Sequence, residues 1–177
     1  MKDGMIALFA EYKTIIIFLH IISAVVWVGG MIAMRYAAHN SFMELEPAQR
    51  LPRVAHALKR LFAIVSPFVF ILIITAVIMA VGLGFRAAAV DANGNVIDDY
   101  AMYIYNLVHV KEVIWMVMGA NLLAMILRRN KAQKLLDAGD TAGAKKALEL
   151  IGKYMVPLNI ILGVIAIFLG VTLRNAY

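Results

Sequence analysis

Long apolar stretches constrain the fold of this chain more than any other feature of its sequence. There are four, at about residues 14–38, 61–84, 102–127 and 155–173. Each can cross the hydrocarbon core of a bilayer, which is about 30 Å thick and needs roughly 20 apolar residues per helix. Because lipid offers no partner to an open sheet edge, we expect the spans to be helices. The sequence therefore predicts an all-α integral membrane protein, a four-transmembrane-helix bundle forming one domain over residues 1–177.

The overall composition agrees with a membrane protein. Of the 177 residues, 63% are hydrophobic, and the mean hydropathy is +0.83, which is more apolar than a soluble domain of this length. There is no cysteine, which excludes disulfides, thiolate metal sites and cysteine nucleophiles. Glu11 and Lys13 stand directly before the first span, so we expect no cleavable signal peptide.

Basic residues are divided unequally between the two ends of the predicted bundle. Arg35–Arg60 holds five Lys and Arg and Arg128–Lys153 holds seven, against four on the opposite side. By the positive-inside rule, the loops at about 39–60 and 128–154 are predicted to be cytoplasmic, with both termini outside (periplasmic). The formal net charge of +6 is then explained by topology and anionic membrane lipid, so no nucleic-acid partner is predicted.

His20 is the one ionisable residue in the middle of the first span. An ionisable side chain inside the membrane is costly and marks a functional site by default. Its helical face also carries Ser23, Trp27 and Gly30, and small residues let a helix or a flat ligand approach closely. Two interpretations stay open: His20 bonds a neighbouring helix, or it is an axial ligand of a flat cofactor packed near Trp27.

The third span carries His109, Lys111 and Glu112 near its outer end. At 1.5 Å per residue, His20 lies about 7 Å outside the bilayer midplane, Lys111 about 6 Å and His109 about 9 Å. Groups from two helices therefore share one depth, which favours a common site.

Direction around the third helix separates His109 from Lys111, which are about 200° apart. His109 shares the more polar stripe with Glu112, so we expect it to face inward, with Glu112 orienting it or carrying protons. Lys111 shares an apolar stripe with Trp115 and is expected to snorkel to the outer interface. Geometry alone thus predicts that His20 and His109 are the pair that binds a common ligand.

A haem b suits such a pair, because it takes axial histidines and helical bundles build such sites from facing side chains. Copper or zinc usually takes three or four ligands, and His39 and His56 lie at the far end of the spans. Most of the eleven methionines fall at core spacings, where methionine fills gaps. Copper remains the alternative metal.

Four segments resemble those of known membrane families. His20 followed by Trp27–Val28–Gly29–Gly30 resembles the first helix of copper-resistance-D-like (CopD-like) membrane proteins and of HemJ-type protoporphyrinogen oxidases. The other three resemble successive helix entries of the oxidase family: Leu58–Lys59–Arg60–Leu61–Phe62 with Ser66–Pro67, Leu107–Val108–His109–Val110–Lys111, and Tyr154–Met155–Val156–Pro157.

The resemblance implies a four-helix, haem-b-binding enzyme of the bacterial inner membrane that oxidises protoporphyrinogen IX and passes electrons toward the respiratory chain. It implies functional roles for His20 and Lys111. The chain departs from the oxidase pattern at Leu122, where that family has a further histidine, and at Tyr154–Met155, where it has Asn–Glu.

Three functions follow as hypotheses. The first is a haem-binding redox protein that exchanges electrons with a quinone or a porphyrinogen, as a monomer or homo-oligomer. The second is a copper-handling, CopD-like membrane protein. The third is a non-catalytic membrane assembly subunit whose polar residues only hold helices together.

Overall fold

The computed structural model describes residues 2–175, without the side chains of Lys2 and Pro47, and this part of the chain is almost entirely helical. Its α-helices are α1 (Lys2–Ile32), α2 (His39–Met43), α3 (Pro47–Gly82), α4 (Phe85–Ala89), α5 (Asp99–Asp137), α6 (Thr141–Leu150) and α7 (Val156–Arg174). Two π-helical segments, Ala33–Ala38 and Ile151–Met155, connect α1 to α2 and α6 to α7. One isolated bridge joins Val90 to Val96.

Four continuous helical stretches are long and apolar enough to cross a membrane: Asp3–Met43, Ala48–Ala89, Asp99–Asp137 and Thr141–Arg174. The four predicted spans lie inside them, so the multi-pass helical architecture expected from the sequence is confirmed. The helices continue well beyond the spans. The 39 residues of α5 extend for about 58 Å, roughly twice the thickness of a hydrocarbon core.

Large apolar side chains cover the outside of the bundle. Phe18 is 60% exposed, Phe70 66% and Phe168 70%. In water such a surface would be costly, whereas lipid tails solvate it without penalty, so these side chains fit a bundle surrounded by lipid.

The bundle is arranged as α1 against α3 and α5 against α7, with further contacts of α1 with α7 and of α3 with α5. A large apolar cluster fills the half of the bundle that extends from Trp27 toward α6. A smaller cluster of Phe85, Ile104, Val108 and Leu173 closes the opposite end. His20, Thr75 and Lys111 belong to neither cluster.

The inward face of α5 follows a seven-residue repeat. Its buried residues are Ile104, Val108, Met118, Leu122, Met125, Arg129 and Ala132, and Lys111 and Trp115 occupy the missing positions of the same alternation of three- and four-residue steps. Such a repeat keeps one stripe against neighbouring helices. The inward stripe of α5 therefore carries one cation toward each end, Lys111 and Arg129.

We call the end that holds α2, the start of α3, the end of α5 and α6 the basic end. The sequence of the loop at about 128–154 also predicts helix extensions on either side of a turn at Gly139–Asp140–Thr141, and the segment is helical here apart from a short turn. Gly139 adopts φ +80° in that turn, and the Asp140 carboxylate then accepts a hydrogen bond from Gly143 N at 2.8 Å, which caps α6. At the opposite end, the sequence Asp91–Ala92–Asn93–Gly94–Asn95 predicts a turn. The turn forms, and the Asp91 carboxylate accepts from Asn93 N and Asn95 N, both at 2.8 Å.

Close helix packing depends on particular glycines. A Cβ built on Gly163 of α7 would lie 2.5 Å from Val28 Cγ2 of α1, closer than real Cβ atoms approach. A Cβ on Gly29 would meet nothing within 4 Å. A Cβ on Gly30 would lie 3.1 Å from Leu61 Cδ1, so the expectation that small residues ease packing applies to Gly30 and Gly163 and not to Gly29.

Candidate functional site

His20 is held by a hydrogen bond across the bundle. Its Nδ1 lies 3.0 Å from Thr75 Oγ1 of α3. Thr75 is 4% exposed, whereas His20 is half-buried. The bond joins residues 55 positions apart, so it depends on the packing of α1 against α3.

The partners of Thr75 determine which ring nitrogen carries the proton. The Thr75 hydroxyl donates back along its own helix, with Ile71 O at 2.8 Å and Leu72 O at 3.0 Å. A hydroxyl has one hydrogen and two acceptor lone pairs, so Thr75 Oγ1 is left to accept from His20. This geometry favours a neutral ring protonated at Nδ1, whose Nε2 lone pair is the form of histidine that ligates a metal through Nε2.

Lys111 approaches the same level of the bundle from α5. Its Nζ lies 3.1 Å from the position that a Cβ on Gly170 of α7 would occupy, so the glycine leaves room for the ammonium group. The charge of Lys111 also acts electrostatically on His20. Residues from all four spans thus meet here: His20, Thr75, Lys111 and Gly170. We call these four residues the polar level.

The expected inward orientation of His109 is wrong. His109 and Glu112 have 50% and 40% exposed side chains, and His109 Nδ1 lies 2.9 Å from Glu112 Oε2. The His109 ring also contacts Tyr105 edge-on, with ring centroids 4.4 Å apart. His109 and Glu112 therefore form an outward-facing pair, away from His20.

Helix packing explains why Lys111, and not His109, faces the interior of the bundle. The stripe of α5 that meets the other helices is the apolar one, which includes Val108 and Met118, and Lys111 lies on it. The more polar stripe near the outer end faces outward instead. Lys111 lies on the inward stripe, and its Nζ lies beside Gly170 near the outer end of α7.

Trp27 lies two turns from His20 toward the basic end and is 2% exposed. It packs in the large apolar cluster with Val28 and Met31. Its indole Nε1 is buried with no hydrogen-bond acceptor among the described residues. Such an orphaned donor is rare in native proteins, so it is a point where a bound group would gain a bond.

A second polar cluster joins α5 to α7 nearer the basic end. The Asn121 amide donates to Met155 O and to Asn159 Oδ1, both at 2.8 Å, and the Asn159 amide donates to Met118 O at 3.3 Å. Asn159 is 1% exposed. Both carboxamides are used on helix partners, so this cluster holds the helices together and is not a ligand site.

Sequence reasoning placed His20 and Lys111 at one depth but missed Thr75 and Gly170. The signal for Thr75 was its isolation in an apolar run, where a hydroxyl is one of few polar groups available. Within residues 2–175, no group of three or more His, Asp and Glu side chains is placed to hold a metal ion. A haem needs only one or two protein ligands, so the polar level fits it on this count.

Comparison of the chain with protein-family models, with curated proteins and with solved structures finds no match.

Proposed function

We propose that the chain is a haem-b-binding membrane redox protein with His20 as the axial ligand of the iron. The observation that most strongly supports the proposal is the hydrogen bond between His20 Nδ1 and Thr75 Oγ1. It fixes the tautomer and the orientation of the ring, as the partners of metal-bound histidines generally do. When bound, the haem supplies one-electron redox chemistry at a potential that the ligands and the burial of the site tune.

Lys111 has one of two roles in this proposal. As an ammonium it binds a carboxylate of the porphyrin, and as a neutral amine it is the second ligand of the iron. The orphaned Trp27 Nε1 supports a bound group that extends toward the core. The electron partner is a quinone or a porphyrinogen, the latter in line with the resemblance to protoporphyrinogen oxidases.

The test is an absorbance spectrum of protein made in haem-replete cells and purified in mild detergent. We expect a Soret band and a sharp reduced α-band, lost in His20→Ala and retained in His109→Ala. His109 is the matched control, because it is a histidine near the same end whose side chain faces outward. A colourless wild-type protein, or a His20→Ala variant with an unchanged spectrum, contradicts the proposal and leaves copper binding as the next measurement.

Lys111→Met separates the two roles of the lysine. Loss of a carboxylate partner weakens haem binding but leaves the spectral type of the iron unchanged. Loss of an axial ligand instead changes the iron from six-coordinate to five-coordinate, which its absorbance and electron paramagnetic resonance spectra report. Oxidation of protoporphyrinogen by membranes carrying wild type and His20→Ala tests the enzymatic form of the proposal.

We also propose that the basic end is cytoplasmic, in a bacterial inner membrane, with both termini on the periplasmic side. The unequal distribution of Lys and Arg supports this orientation. Because the chain lacks cysteine, single variants report topology cleanly. A membrane-impermeant maleimide added to spheroplasts, cells stripped of their outer membrane, should label Asn95→Cys and spare Ala142→Cys; the reverse pattern would invert the topology.

A further inference from the structure

A small cavity lies between α3 and α5 at the basic end, remote from the polar level. Its volume is about 190 Å³, and it is lined by Lys59, Phe62, Ala63, Ser66, Ile126, Arg129 and Asn130. Two of these seven residues are cations, and none is acidic.

Arg129 is the unusual member of the lining, since it is 7% exposed. Its Nε donates to Ala55 O at 2.8 Å, and its terminal nitrogens donate to Asn130 Oδ1 at 3.2 Å and Gln133 Oε1 at 3.0 Å. A guanidinium has five N–H donors, so one on each terminal nitrogen has no acceptor among the described residues.

The charge of Arg129 is not neutralised by direct contact. In the part of the chain that the structure describes, no carboxylate lies within 4.0 Å of its guanidinium, and Asp137 is reached only through Gln133, whose amide donates to it at 2.9 Å. A buried cation without a direct counter-ion is costly, and an anion in the cavity would relieve that cost.

The polar and apolar residues of the lining are arranged in the same order as the headgroup and the acyl chains of a phospholipid. Lys59, Arg129 and Asn130 lie nearer the basic end along α3 and α5, whereas Phe62, Ala63 and Ile126 lie about one turn nearer the middle of these helices. The Ser66 hydroxyl is already used, because it donates to Phe62 O at 2.7 Å. Arg129 is 18 residues from Lys111, or about 27 Å along the helix. Because Lys111 is expected about 6 Å outside the midplane, Arg129 lies about 21 Å on the other side, at the depth of the lipid headgroups.

We propose that this cavity binds the phosphate group of an anionic phospholipid, with Arg129 and Lys59 on the phosphate and the acyl chains against Phe62 and Ile126. Arginine forms paired hydrogen bonds to phosphate oxygens, and lysine adds a second charge. Basic pockets between membrane helices commonly recognise such headgroups. The apolar residues of the lining favour a lipid over free phosphate, because free phosphate has no apolar part to bury against them.

Native mass spectrometry of the detergent-solubilised full chain, titrated with phosphatidylglycerol or phosphatidylcholine, tests the proposal. Lys59→Gln should weaken phosphatidylglycerol binding by about fivefold and phosphatidylcholine binding by less, because the choline group already offsets the charge of its phosphate. Arg60→Gln is the matched control, because Arg60 is a neighbouring exposed cation that does not line the cavity, and its affinity should stay within about twofold of wild type. Arg129→Gln should cause the larger loss, read only if its circular dichroism melt shows a folded bundle.

Lys59→Gln keeps the test decisive, because the Lys59 side chain is exposed and its replacement should not unfold the protein. Equal losses in Lys59→Gln and Arg60→Gln would overturn the proposal in favour of general surface attraction. Displacement of the lipid by millimolar inorganic phosphate would show that free phosphate is the ligand and would overturn the lipid assignment. An unchanged affinity in Lys59→Gln would overturn the site itself.

Discussion

Thr75→Val tests the polar level most directly. Valine keeps the shape of threonine but removes the oxygen that lies 3.0 Å from His20 Nδ1. The ring N–H is then left inside an apolar bundle without an acceptor, which costs about 1–3 kcal/mol of unfolding free energy. If a haem binds His20, loss of this orienting bond should also lower haem affinity by about 10–100-fold. Unfolding by a denaturing detergent and a haem titration measure the two effects.

Two further variants isolate the hydroxyl. Thr75→Ser restores the oxygen and should recover most of both losses. Thr172→Val removes a hydroxyl that only donates back to Phe168 O at 3.2 Å, so neither quantity should change by much. If Thr75→Val unfolds and loads haem like wild type, then Thr75 does not orient His20 and the tautomer argument is refuted.

Three more predictions concern the rest of the molecule. Asn159→Ala should lower the free energy of unfolding by about 1–3 kcal/mol, because its amide partner on α5 loses a buried acceptor; an unchanged detergent-unfolding curve would argue against this. Gly163→Ala should cost about 1–3 kcal/mol in the same assay through overpacking, while Gly29→Ala should cost nothing, and equal effects would contradict the packing described. Hydrogen bonds from the Asn95 side chain hold the pKa of Asp91 below its usual 3.8. The turn is therefore stabilised above that pH and should lose protection from hydrogen exchange as pH falls below it, whereas protection that does not change with pH in this range would contradict this.

The four spans were predictable because a helix that crosses a bilayer must be apolar over about 20 residues, and such stretches can be recognised in the sequence. Periodicity and cap residues likewise indicated the helical continuation through residues 128–154, where Asp140 caps α6 as the sequence suggested. The sequence did not predict that α3 begins as early as Pro47. A hydropathy pattern shows where the apolar part of a helix stops. The helix itself can continue beyond that point until a capping residue or a change in packing ends it.

The candidate site was predictable in depth but not in direction. Counting residues placed His20 and Lys111 at one level, since rise per residue depends little on context. Choosing between His109 and Lys111 required knowing which stripe of α5 meets the other helices. Polarity suggested the His109 stripe, yet the seven-residue repeat that continues to Met125 and Ala132 would have selected Lys111. A long-range repeat is better evidence of the inward face than the polarity of a single turn.

The two π-helical segments, Ala33–Ala38 and Ile151–Met155, divide the molecule into parts that can change separately. A π turn accommodates one residue more than an α-helix needs, and one residue corresponds to about 100° of rotation. Both segments lie where a membrane span meets its extension at the basic end. Gain or loss of a residue there would turn the extension without rotating His20 or Gly170. Evolution could therefore remodel the basic end while leaving the polar level in register.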